Sequence, residues 1–141
     1  MRRLLAGTIL TILVACLAAD SLAQSSTSGD NSYKNLVSLI KVIANPNDFN
    51  GQPVKVVGFL SHGGGLDDAV GLFVSEIDGR NYIVPNSIDL HLDESTAKSL
   101  MGRYVVLSGT YHAPVAQSGY NGYIDHIHDV KALSPHGALL P

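Results

Sequence analysis

The chain contains very little cysteine, tryptophan and charge. Of its 141 residues one is a cysteine, Cys16, and none is a tryptophan. Because Cys16 lies in the apolar segment that opens the chain, a domain formed by the later residues has no disulfide and no thiol chemistry, and packing alone must stabilise it. Charged residues make up 15% of the chain and no basic run occurs, so the electrostatic pattern of a nucleic-acid-binding protein is missing.

Motifs for catalysis and for phosphate or calcium binding are also missing from the sequence. No Gly-x-Ser-x-Gly nucleophile motif occurs. Gly63–Gly65 lacks the Lys and Ser/Thr of a phosphate loop, and the adjacent Asp67 and Asp68 supply too few alternating oxygens for a calcium loop. We therefore expect Gly63–Asp68 to be the tip of a hairpin, and we expect a protein that is not an enzyme and needs no cofactor.

The first 23 residues have the features of a secretory signal peptide. Arg2 and Arg3 form a short basic start, Leu4–Ala19 carries no charged residue, and Ser21–Ala23 gives the small-x-small pattern of a cleavage site. The apolar run is short for a permanent membrane span. These features predict export to the periplasm and a mature chain that begins at Gln24.

A second route of processing is open. Leu13–Cys16 resembles the lipobox of bacterial lipoproteins, in which Cys16 is acylated and attaches the protein to a membrane. The alternative is that Cys16 is one more apolar residue of the signal. Either route gives an exported protein, and removal of residues 1–23 leaves 7 basic and 11 acidic side chains, a net charge of about −4.

Polar and aperiodic segments at both ends delimit one domain. Residues 24–33 are small and polar, which predicts a flexible tether. Residues 134–141 show no hydrophobic period and are expected to form a loose tail. Between them, residues 34–133 suffice for one domain with a single modest core.

One eight-residue pattern, Gly-x-x-Val-x-(Val/Leu)-x-Gly, occurs twice, at Gly51–Gly58 and at Gly102–Gly109. The first glycine of each copy suits the left-handed position after a helix. The two apolar residues share one face of a strand, and the second glycine falls on that face, where it lets the strand bend or another backbone approach. The pattern predicts two strands that coil around a small barrel. Two unrelated strands that share the same order of turn and strand residues would also produce it.

The remaining periodicities predict two helices and five strands. An extended start at Leu36–Val37 leads into a helix that Asn45–Pro46 disturbs. Asp93 is placed to cap a short helix that Gly102 ends. The predicted strands are Val54–His62, Ala69–Glu76, Asn81–Val84 with a continuation at Ile88–Leu92, Tyr104–His112 and Tyr123–Val130.

This element order predicts the fold class. Three strands, a short helix and two further strands make a mainly β fold, a five-stranded OB-like Greek-key barrel with an N-terminal helix and a short helix between strands three and four. The sequence also resembles bacterial exported OB-fold-like domains, in the segments Leu36–Gly51, Val54–Gly58, Leu72–Glu76, Tyr82–Pro85, Val105–Thr110 and Gly122–Ile127. The resemblance implies this architecture and no active site.

The last predicted strand contains two histidines between two aspartates. On a regular strand His126 and His128 project from one face, a spacing that can place two imidazoles on one metal ion. His112, at the end of the preceding strand, is the candidate third ligand, and Asp125 or Asp129 would orient an imidazole. These residues form the predicted metal site.

An opposing signal lies in the same strand. Ile124, Ile127 and Val130 are the expected core residues, and their spacing of three indicates a bulge or a strong twist. A bulge breaks the same-face argument for the two histidines. Solvent-facing histidines without a metal are therefore the alternative interpretation.

The tyrosines suggest a binding groove. OB barrels bind along strands two and three, between the loops one–two and four–five, which here are Ser61–Asp68 and Ala113–Gly122. Tyr120, Tyr123 and His112 are positioned to line such a groove with stacking and hydrogen-bonding surface. The acidic charge favours a protein, a peptide or a neutral glycan over nucleic acid, and the alternative is that the tyrosines only cover the barrel ends.

Taken with the export signal, these features favour a non-catalytic binding or interaction module of the bacterial cell envelope. Two other classes of protein fit the same sequence. One is a periplasmic metal-binding protein that uses the strand histidines. The other is an immunity-type protein that neutralises a secreted toxin, since such a protein would also be small, exported and acidic.

Overall fold

The computed structural model describes residues 35–63, 69–115 and 119–134. The predicted signal peptide, Cys16, the tether, the hairpin tip at 64–68 and the tail beyond Ser134 lie outside these residues. None of the helices in the described part has the length and apolar character that a membrane crossing requires. The strands are β1 (Gln52–His62), β2 (Val70–Phe73), β3 (Ser87–Leu90), β4 (Tyr104–His112) and β5 (Tyr123–Ala132), and the helices are α1 (Leu39–Ala44), α2 (Pro46–Phe49), α3 (Glu76–Arg80) and α4 (Glu94–Leu100).

The five strands close into a barrel in the order β1-β2-β3-β5-β4. Neighbouring strands are antiparallel except β3 and β5, which are parallel. Successive residues of a strand face opposite sides of the sheet, so alternate side chains of the barrel strands point into one core. The predicted mainly β fold with an OB-like barrel is confirmed. The fully buried core includes Val42, Val56, Leu60, Leu72, Phe73, Ile88, Val105, Leu107, Tyr111 and Ile124.

The two copies of the glycine pattern are antiparallel neighbours in β1 and β4. Gly58 lies opposite Val105, and Val54 lies opposite Gly109, so each second glycine faces the first valine of the other copy. A side chain at Gly58 would come 2.8 Å from the carbonyl oxygen of Phe73. The predicted role of the second glycine, a close approach of another backbone, is confirmed.

The segments before β1 and β4 also follow the sequence. Val37 pairs with β1 through a hydrogen bond of 2.8 Å from its N–H to the carbonyl of Lys55, and the helical segment breaks at Asn45. Asp93 caps α4, because its carboxylate accepts a hydrogen bond of 2.9 Å from the N–H of Thr96.

The prediction of a strand at Asn81–Val84 is wrong. β2 ends at Phe73, and the chain then forms α3 and a 3-10 turn at Val84–Asn86 before β3 begins. Ser75 causes this change, since its hydroxyl accepts a hydrogen bond from the N–H of Asp78 and donates one of 2.6 Å to the Asp78 carboxylate. This cap starts α3, and hydrogen bonds of 3.1 Å from the N–H of Asn81 to the Ile77 carbonyl and 2.9 Å from the N–H of Ile83 to the Asp78 carbonyl then hold the predicted strand segment in turns.

Candidate functional site

The outward side of the barrel carries polar rings where β3, β5 and β4 lie side by side. Tyr123, the first residue of β5, pairs with His112 of β4 on one side and Asp89 of β3 on the other. Because the next residue, Ile124, is buried in the core, Tyr123 points outward. His91 directly follows β3, and a hydrogen bond of 3.0 Å from its N–H to the Ile124 carbonyl fixes its position beside β5.

The three rings form one stack, which we call the ring row and define as His91, Tyr123 and His112. The ring centroids of Tyr123 and His112 are 4.5 Å apart with an interplanar angle of 12°. Those of Tyr123 and His91 are 4.7 Å apart with an angle of 16°. Since β5 lies between β3 and β4, the two imidazoles cover opposite faces of the phenol ring.

Asp125 holds one end of the ring row. Its Oδ1 atom lies 3.0 Å from Nε2 of His112 and 2.8 Å from Nδ1 of His126. Burial raises the pKa of Asp125. The hydrogen bonds from His126 and His112 and the electrostatic effect of these two residues outweigh burial, so the pKa of Asp125 lies below its ordinary value. The carboxylate is therefore charged at neutral pH and can only accept hydrogen bonds.

A bulge in β5 places His126 beside Asp125. Between Asp125 and His128, β5 has one residue more than the facing part of β4. His126 has a φ of 46°, the left-handed conformation typical of a bulge. Gly109 lies opposite, where a side chain would come 2.7 Å from the Asp125 carbonyl oxygen. The predicted bulge is confirmed, so the regular-strand spacing that placed His126 and His128 on one face does not apply here.

The three predicted metal ligands are only partly brought together. His112 and His126 meet at Asp125, whereas Nδ1 of His128 donates a hydrogen bond of 3.1 Å to the carbonyl of His126. Within residues 35–63, 69–115 and 119–134 no group of three or more His, Cys, Asp or Glu side chains is arranged to hold a metal ion.

The structure brings together only two of the three predicted groove residues. Tyr123 and His112 stack on each other, but Tyr120 packs elsewhere, against Gly63 and Gly71 at the base of the loop between β1 and β2. A side chain at Gly63 would collide with the Tyr120 hydroxyl. Burial, followed by the nearby charge of Asp89, raises the pKa of Tyr120.

Two residues of the site, His91 and Asp89, are absent from the sequence-based candidates. Nε2 of His91 lies 3.7 Å from Oδ2 of Asp89. Burial raises the pKa of Asp89, and the nearby His91 partly opposes this shift. Both residues reach the site because β3 pairs in parallel with β5. The alternation of polar and apolar residues along one strand does not show which residues of another strand lie beside it, so the sequence did not indicate them.

A second surface feature is an apolar recess of about 290 Å³ beside α1. Among its lining residues Ser38 alone has a polar side chain, so the recess offers apolar contact and no titratable group. It is lined by Leu36, Val37, Ser38, Leu39, Ile40, Val57 and Val74.

Neither a scan of protein-family models nor a search of curated proteins gives a match to this chain.

Proposed function

We propose that this protein is a non-catalytic binding module of the bacterial cell envelope, and that it contacts its ligand through the ring row and the adjoining Asp125 and His126. The observation that carries the proposal is the stack of three polar rings on the outside of the barrel. Tyr123 and His112 are half-buried and His91 is exposed, so the row presents hydrogen-bonding ring edges at the surface beside a charged carboxylate.

The exposure of the residues around Asp125 supports binding over catalysis. The His126 side chain is 82% exposed and the Asp125 side chain is 23% exposed. A general base works best in a site that excludes water, because a low dielectric strengthens each electrostatic contact. An open row of hydrogen-bonding edges fits recognition of an extended ligand.

The experiment that tests this proposal uses the exported protein as the cell processes it. The purified protein is immobilised and exposed to extract of the cell envelope, and retained proteins and sugars are identified by mass spectrometry. We expect a component that binds the wild type and the His128→Ala variant but not Asp125→Asn, which keeps the shape of the side chain and removes its charge. His128 is the matched control because it lies on the same strand and its hydrogen bond goes to the backbone carbonyl of His126, not to a side chain of the proposed site.

Two results would contradict the proposal. One is that the wild type retains no component of the extract. The other is that Asp125→Asn retains every component as strongly as the wild type does while circular dichroism shows that its fold is unchanged.

Placement in the envelope is tested separately by mass spectrometry of the mature N-terminus. A first residue of Gln24 indicates a soluble periplasmic protein, and an acylated Cys16 indicates a membrane-anchored one. An unprocessed Met1 would contradict export.

A further inference from the structure

The middle ring of the ring row, Tyr123, presents its edge and not its faces to a ligand. Both faces of Tyr123 are covered by imidazoles. A ligand that binds by inserting a flat ring against Tyr123 would have to separate this stack. Contact with Tyr123 must therefore be made through the edge of its ring.

The charged Asp125 determines which ring atoms remain available. A carboxylate accepts and does not donate, so Nε2 of His112 and Nδ1 of His126 carry the hydrogens that point at its Oδ1 atom. In the neutral imidazoles the opposite nitrogens, Nδ1 of His112 and Nε2 of His126, then have free lone pairs. Together with the second oxygen of Asp125 they form a group of three hydrogen-bond acceptors.

These acceptors do not suit a single ion. The free nitrogen of each imidazole lies on the side of the ring away from the shared Asp125 oxygen, so the two lone pairs diverge. A ligand that uses both must carry several separate donors, as a chain of hydroxyl groups does.

Charge disfavours an anionic ligand. The carboxylates of Asp89 and Asp125 both lie at the row, and in the described part of the chain neither is paired with a lysine or arginine. The lysines of β5 and β1, Lys131 and Lys55, form ion pairs with Asp129 instead, at 3.4 Å and 3.8 Å. Phosphates, nucleic acids and acidic sugars would therefore meet repulsion without compensation.

Topology disfavours an extended peptide that adds a strand to the sheet. Such binding needs an unpaired strand edge. The five strands form a closed barrel, and the first two residues of β5, Tyr123 and Ile124, are paired with β4 on one side and with β3 on the other, so no strand can be added at the ring row itself.

We infer that the ligand of this surface is a neutral, hydroxyl-rich carbohydrate, with hydroxyl groups donating to Nδ1 of His112, Nε2 of His126 and the carboxylate of Asp125. This inference rests on the proposed function and narrows it to one class of ligand. The sugar contacts ring edges and lies across β5.

The first step of the test is an array of neutral and acidic glycans, probed with the processed, labelled protein. Binding to one or more neutral glycans and to no acidic glycan of similar size is the expected result. The best neutral glycan is then titrated into ¹⁵N-labelled protein, and the amide signals of His112, Asp125 and His126 should shift in a saturable way.

Variants locate the site. Asp125→Asn should weaken the glycan at least about tenfold, the effect of losing a hydrogen bond to a charged group. His128→Ala should change the affinity by less than about twofold, since a surface side chain outside the contact contributes little. Ile40→Ser, in the apolar recess, is a second control that should leave the affinity unchanged.

Three outcomes overturn the inference: no neutral glycan binds, acidic glycans bind as tightly, or Asp125→Asn binds like the wild type. If envelope proteins or peptides bind through Asp125 while no glycan does, the carbohydrate inference fails and the proposed binding module stands. If the envelope extract contains no ligand of any class, the proposed function itself fails.

Discussion

Replacing the second glycine of each repeated pattern by alanine should destabilise the barrel severely. At Gly109 the new Cβ would lie 2.5 Å from Cγ2 of Ile124 and 2.7 Å from the carbonyl oxygen of Asp125. At Gly58 it would lie 2.6 Å from Cγ of Leu72 and 2.8 Å from a backbone oxygen. Carbon atoms in contact normally stay about 3.5–4.0 Å apart, so both positions overlap by roughly 1 Å.

The expected cost follows from which atoms would have to move. Overpacking a core costs about 1–3 kcal/mol, and more where neither side can relax. Because one of the clashing atoms at each site is a backbone oxygen of the sheet, relief requires a shift of a whole strand. We expect a loss of about 3 kcal/mol for both variants, a large part of the roughly 5–15 kcal/mol that stabilises a domain.

The first glycine of each pattern provides the matched control. Gly51 and Gly102 have φ values of 72° and 75°, and an added Cβ would meet nothing within 4 Å. Alanine there carries only the conformational penalty of a left-handed residue, about 1–2 kcal/mol. Urea unfolding at pH 7 measures all four variants. A free energy of unfolding for Gly109→Ala or Gly58→Ala within about 0.5 kcal/mol of the wild-type value, the usual range for a surface change, would contradict this steric role. A free energy of unfolding above that of its control variant would contradict it as well.

Three further predictions concern single polar groups. Tyr111→Phe should lower the free energy of unfolding in urea by about 1–2 kcal/mol, because the buried hydroxyl donates a hydrogen bond of 2.7 Å to the carbonyl of Asn121. An unchanged free energy of unfolding would contradict this role of the hydroxyl. Asp93→Ala should lower the melting temperature at pH 7. This difference should shrink between pH 4 and pH 2, because hydrogen bonds from Ser95 and Thr96 lower the pKa of Asp93 to about 2 and their contribution disappears as the carboxylate is protonated. Burial raises the pKa of Asp89, so deprotonation of this residue disfavours the folded state. As pH rises above 4, the free energy of unfolding should therefore fall less for Asp89→Asn than for the wild type. Parallel pH profiles of the two proteins would contradict this prediction.

The fold was largely predictable because its signals are local. The glycines of the repeated pattern predicted both helix ends and both close approaches, and Gly51, Gly58, Gly102 and Gly109 occupy those roles. The missed helix α3 also had a local signal. Ser75 is followed three residues later by Asp78, the spacing of a capping box, and the apolar run at Tyr82–Val84 just after it concealed this signal.

The site was less predictable because most of its contacts join different strands. Tyr123 and His112 are joined by a hairpin, so their proximity followed from the chain order, and the spacing of isoleucines in β5 indicated the bulge that turns His126 toward Asp125. His91 is different, since it reaches Tyr123 only when the barrel closes through the parallel pairing of β3 and β5. That pairing spans two residue pairs, Asp89 with Tyr123 and Leu90 with Ile124. The site and the closure of the barrel thus depend on the same short contact, so a variant that weakens the β3–β5 pairing should disrupt the ring row and the barrel together.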